Sequence, residues 1–220
     1  TKLLIAVTLI TFVLICSVNI AWAGSGLNFF TNEIDITPAG TGAWTSLNVS
    51  GNGVPAGATG VILRLNNTDT ATNYVLAVRK NGSTDTRTPQ VGSGRHMGAM
   101  VGIDANRIFE AYIGSTLAKV YLVGYTSDGT NFFTNSPNKI SDLTAGSYTA
   151  ITDTGIPDGA TGVIVEWHAT ALGKAGGVRR PNSGDDFYAR NDSGLHYYQV
   201  CGLSTSKQFA AKANETGSHN

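Results

Sequence analysis

Val54-Pro55-Ala56-Gly57-Ala58-Thr59-Gly60-Val61-Ile62-Leu63 returns as Ile156-Pro157-Asp158-Gly159-Ala160-Thr161-Gly162-Val163-Ile164-Val165. A chain that repeats so specific a phrase is constrained to build the same local structure twice. Proline fixes φ and lacks an N–H, so it suits the approach to a strand better than its middle. The two glycines that follow permit a turn with positive φ. Beyond the turn the pattern alternates. Val61, Leu63 and Leu65 point one way and Arg64 the other; Val163, Val165 and Trp167 point one way and Glu166 the other. Period-two alternation with β-branched residues predicts a half-buried strand. The outward residue changes sign between copies while the inward ones stay apolar, so the repeat specifies packing.

Other phrases keep step with it. Asn28-Phe29-Phe30-Thr31-Asn32 recurs as Asn131-Phe132-Phe133-Thr134-Asn135, and Trp44 finds its counterpart in Tyr148. Tyr74 to Lys80 reads as a strand, with Ala175 to Arg180 its weaker match. Asn81-Gly82 behind the first predicts a tight hairpin turn, because both residue types accept positive φ. Later His96 matches His196, Gly102 matches Gly202 and Phe109 matches Phe209. Short strands separated by turn residues, with no helical stripe after residue 23, predict an all-β chain of two tandem β-sandwich domains, immunoglobulin-like or jelly-roll, with seven or eight strands each. The expected boundaries are 24–126 and 127–220. Val120 to Tyr125 closes the first copy and has no counterpart in the second, which is therefore expected to lack its last strand. Either the sequence continues, or another subunit donates a strand, for which the region from Leu27 to Phe30 is the candidate donor.

Residues 1–23 read differently. Lys2 is the only charge before Glu33, an apolar run extends from Leu3 to Ile20, and Ala21-Trp22-Ala23 precedes Gly24. This is the pattern of a hydrophobic signal helix with a small-residue cleavage site. Left uncleaved, it is long enough to anchor the chain in a membrane. The expected location is secreted or at the cell surface. Once the leader is removed only Cys201 remains, so stability must come from packing and not from an internal disulfide.

Composition narrows the function. Fifteen basic side chains balance fifteen acidic ones and only 14% of residues are charged. No basic run exceeds two residues, which argues against nucleic acid as a partner. There is no Gly-x-Ser-x-Gly, no phosphate loop and no calcium-loop spacing. Asp104 and Glu110 are the only spaced carboxylate pair on the later strands of copy one, and copy two has Ser204 and Ala210 there, so the copies share no acid/base pair of the kind a glycosidase requires. No catalytic residue, metal site or cofactor is assigned. The ligand-binding candidates are the recurring His96 and His196, and the paired loop feature of Asp85 and Arg87 in copy one with Asp186 and Arg190 in copy two. Tyr188 and Tyr197 stand beside it. The leading expectation is a secreted structural, adhesion or appendage-type protein without catalytic activity. Its expected partners are its own kind, by strand exchange, or a surface glycan. A carbohydrate-binding tandem module is the alternative, with a hydrolase using loop residues behind it.

Overall fold

The computed structural model describes residues 26–168, 174–186, 189–191 and 196–214. The expected leader, 1–23, lies outside them. Among the described residues the chain forms strands and two short 3-10 turns, with no α-helix.

In the first half, β1 (Leu27–Asp35), β2 (Trp44–Asn48), β3 (Gly60–Asn67), β4 (Tyr74–Lys80), β5 (Gln90–Val91), β6 (His96–Gly102), β7 (Ile108–Ile113) and β8 (Ala118–Thr126) form two four-stranded sheets. Their orders are β1-β8-β3-β6 and β2-β7-β4-β5, and all pairings are antiparallel. One face of each sheet feeds a single core. Val61, Leu63, Leu65, Val120 and Leu122 come from the first, and Leu76, Phe109, Ala111 and Ile113 from the second, with Phe109 fully buried. Two antiparallel sheets enclosing one apolar layer are consistent with a β-sandwich. The alternation read from β3 holds: Val61, Leu63 and Leu65 face inward, while Arg64 faces out to pair with Glu33 and lies 4.7 Å over the Tyr121 ring. β8 carries a bulge: between the Ile62–Gly124 and Leu63–Leu122 pairs one residue of β8 has no partner on β3, so Leu122 and Tyr125 both serve the core while Gly124 lies buried against the Asn28 backbone.

The second half repeats this frame. β9 (Thr149–Thr152), β10 (Gly162–His168), β11 (Lys174–Arg179), β12 (Ala189–Asn191), β13 (His196–Gly202) and β14 (Gln208–Ala213) pair as β10-β13 and β12-β11-β14-β9. These are the counterparts of β3-β6 and β5-β4-β7-β2. Register agrees residue by residue. Gly60 lies opposite Gly102 and Gly162 opposite Gly202, and at the seventh pair Asn66 faces His96 and His168 faces His196. Among the described residues the counterparts of both β1 and β8 are missing, not that of β8 alone. Asn131 to Asn135, which matches the start of β1, forms no strand.

The repeated landmark folds identically. Gly57 and Gly159 take φ of 87° and 81°, and Ala58 and Ala160 each donate to the carbonyl of the preceding proline at 3.3 Å. Arg107 and Lys207, themselves at φ 62° and 57°, reach back to the carbonyls of Val54 and Ile156 at 3.1 and 3.2 Å. The turn after β4 differs from the expected hairpin. Only Gly82 has positive φ, Ser83 donates to the Lys80 carbonyl at 3.0 Å, and the chain runs on to pair with β5 much later. In copy two Asn182, at φ 65°, takes the place of Gly82.

Candidate functional site

The most elaborate polar arrangement lies on the outer face of the β2-β7-β4-β5 sheet. Register places Trp44 of β2 opposite Tyr112 of β7, their rings edge to face at 5.8 Å and 68°. It also places Arg79 of β4 opposite Glu110 of β7. Arg79 Nε donates to Glu110 Oε2 at 2.7 Å, and its guanidinium lies 4.2 Å over Trp44. Both charged side chains are 17% exposed. Arg79 Nη1 also donates to the backbone carbonyl of Asp85.

Copy two keeps an arginine over the matching aromatic ring and changes the residues around it. Arg179 stacks 3.8 Å over Tyr148 and donates to the Asp185 carbonyl. Lys212 stands where Tyr112 stood, 5.5 Å from the Tyr148 ring, and its ammonium lies 2.8 Å from Asp186 Oδ1. Ala210 replaces Glu110. Trp44 and Tyr148 are thus half-buried on a sheet surface, and a guanidinium covers a ring face in each. A cation over an aromatic face is attractive, worth about 0.5–1 kcal/mol at exposed sites. It also competes with any sugar ring for that face.

Asp85 accepts from the Arg87 backbone N–H at 2.9 Å and from its guanidinium. Burial opposes charge on Asp85, but these Arg87 hydrogen bonds outweigh it and hold the carboxyl below its usual range. The same pairing raises Arg87, which also feels the charge of Glu166 from β10. Tyr198 of β13 packs against the core of copy one, and burial of its hydroxyl, with the Glu166 charge beside it, pushes its pKa well up. Asp85 and Arg87 therefore stand at the contact between the two copies. The segment joining the copies is held there too: Asn135 Oδ1 accepts from Ser83 Oγ at 3.0 Å and from the Thr84 N–H at 2.8 Å, and Lys80 Nζ donates to the Phe132 carbonyl at 3.3 Å.

His96 is exposed at the start of β6, and His196 begins β13 on a different sheet. Asp186 holds Lys212. Arg190 lies on β12 opposite Ala175, and Tyr188 falls outside the described residues. Tyr197 has its hydroxyl committed twice to Gly176, accepting from the N–H at 3.1 Å and donating to the carbonyl at 2.7 Å; burial raises it to about 12. Cys201 is half-buried and burial lifts its thiol to about 11, which keeps it protonated near neutrality. Among the described residues no three His, Cys, Asp or Glu side chains gather where they could hold a metal ion.

A cleft of about 360 Å³ opens beside the joint, lined by Thr59, Lys80, Asp104, Arg107 and Phe132 among others. Its charged groups are turned to the protein itself. Asp104 accepts from Asn81 Nδ2 at 2.6 Å and from the N–H groups of Asn106 and Ile108, while Lys80 and Arg107 each hold a backbone carbonyl. The Asp104 side chain thus closes a turn. Ser204 does the same in copy two, its hydroxyl accepting from the Gln208 N–H at 3.1 Å.

Arg79, Arg179 and Lys212 were not singled out from sequence. The available signal was the match of Arg79 to Arg179 at the ends of two matching strands. Compared with family models, curated proteins and solved structures, the chain matches none.

Proposed function

We propose that the chain is an exported, non-catalytic structural or attachment protein, built as two tandem jelly-roll modules behind a leader at residues 1–23. The strand order β1-β8-β3-β6 over β2-β7-β4-β5 supports the jelly roll: it is an eight-stranded double sheet that folds as two interlocked Greek keys. One observation carries the functional reading. The copies share strand register and glycine turns, while Glu110, Asp104 and Tyr112 give way to Ala210, Ser204 and Lys212. Duplication for catalysis or for one ligand would be expected to retain a polar constellation, whereas duplication for architecture needs only the frame. The same logic makes the secreted or surface location a proposal resting on the leader.

The test is a glycan array with the full chain, alongside hydrolase assays on polysaccharide and ester substrates. Absence of binding and turnover is the expected result. The carbohydrate-binding alternative draws on the strip formed by Trp44, Tyr112, Arg79 and Glu110, where aromatic edges adjoin charged hydrogen-bonding groups. Binding to a polysaccharide that is lost in Trp44→Ala would replace the structural reading with this one.

A further inference from the structure

Phe132 sits in a notch made by two glycines. It covers the cross-strand pair Gly60 and Gly102, so closely that a Cβ on Gly60 would lie 2.4 Å from its ring and one on Gly102 would lie 2.5 Å from its Cβ. No side chain larger than hydrogen fits there while the phenylalanine is seated. Next along the same face, Ile62 is only 8% exposed.

Copy two has the same notch without the plug. Gly162 and Gly202 form the matching pair in the matching register. Among the described residues no aromatic ring approaches them, and a Cβ on Gly202 would meet nothing nearer than Arg180 Cδ at 3.7 Å. Next to it on the same face, Ile164 and Val200 lie opposite each other and are 38% and 72% exposed. A phenylalanine matching Phe132 is also on display: Phe29, in the repeated Asn-Phe-Phe-Thr-Asn phrase, is 65% exposed on edge strand β1.

We propose that Phe29 of one molecule docks in the Gly162–Gly202 notch of another, over Ile164 and Val200, reproducing between molecules the joint that Phe132 makes within one. The occupant is a second copy of this chain because the same phrase already occupies the same notch in the first half. Plug and notch are different surfaces, Phe29 on β1 of copy one and the glycine pair on β10 and β13 of copy two. A contact between unlike patches leaves a free plug and a free notch on each pair of molecules, and so extends head to tail. Through β1 the exposed phenylalanine face is used while the backbone stays hydrogen-bonded to β8, so no strand need be donated. This deepens the structural reading and rests on it. Glycan capture or turnover would overturn that reading, whereas the experiment below tests assembly alone.

Sedimentation velocity of the full chain over a concentration series is the test, with Phe29→Asp and Gly202→Val as variants. At Gly202 an added Cβ makes only ordinary contacts within its own chain, the nearest at 3.7 Å, so Gly202→Val fills the notch. The expected result is a concentration-dependent ladder of species, with each variant weakening self-association about thirty-fold, the loss of one buried aromatic anchor. An equimolar mixture of the two variants joins the intact notch of one to the intact plug of the other. It should form dimers and stop there, which also shows that both variants are folded. A protein that stays monomeric at its highest soluble concentration overturns the proposal, as do oligomers that survive either substitution.

Discussion

The same corner of the core is filled in two ways. In copy one Leu65, Leu76 and Ile113 meet there, all 1% exposed or less. In copy two the matching residues are Trp167, Gly176 and Ala213, with Trp167 4% exposed and its ring against Gly176, where a Cβ would lie 2.6 Å away. One large side chain and two small ones stand in for three of middling size. Trp167 Nε1 also donates to Gln199 Oε1 at 2.9 Å, so the indole brings its own polar partner requirement and meets it. The frame thus constrains summed volume more than identity, as close-packed cores do.

The comparison can be broken most forcefully at its common centre. Phe109→Ala should cost about 3–5 kcal/mol, because the residue is fully buried in the core. Phe209→Ala should cost less, its ring retaining 6% exposure. Urea midpoints of the two variants check the order. The volume exchange is sharpened by Gly176→Leu, which gives copy two the residue of copy one without the matching partners. It should lose about 1–3 kcal/mol by overpacking, and adding Trp167→Leu and Ala213→Ile should recover much of that loss.

A smaller difference is expected between the clamps. Arg79→Ala removes a half-buried ion pair and a cation over Trp44, and should cost about 1–2 kcal/mol by thermal unfolding. Arg179→Ala removes the cation alone, since Ala210 offers no carboxylate, and should cost under about 1 kcal/mol. The mildest test is acid. Asp85 titrates below its unfolded value, so its contribution is present above about pH 4 and is lost as pH falls through the folded value. Asp85→Asn should therefore lower stability by a constant amount between pH 6 and 8 and flatten its fall with pH in that acid window. An unchanged acid slope would remove Asp85 from the joint's energetics.

Much of the frame was legible because period-two alternation survives in β3 and β10, and because the glycine turns repeat. The bulge in β8 was not legible, since Val120 to Tyr125 is apolar on both faces and gives no phase. Nor was the loss of β1 in copy two, because Asn131 to Asn135 reads like Asn28 to Asn32 and only the surroundings decide which becomes a strand. Asp85 and Arg87 were visible as a pair, but their place at the joint depends on Glu166 and Tyr198, whose proximity arises only after folding. The paired aromatic clamps were half legible: Trp44 and Tyr148 matched, and the arginines above them came from strands far away in sequence.

The most direct measurement is the cross-strand register by backbone NMR, taken between Gly60–Asn67 and His96–Gly102 and between Gly162–His168 and His196–Gly202. Repetition of one frame predicts Gly60 opposite Gly102 and Gly162 opposite Gly202, with the same seven-pair ladder in both halves. A one-residue slip in either half would turn its apolar residues outward, and that slip, or helical contacts along either segment, would contradict it.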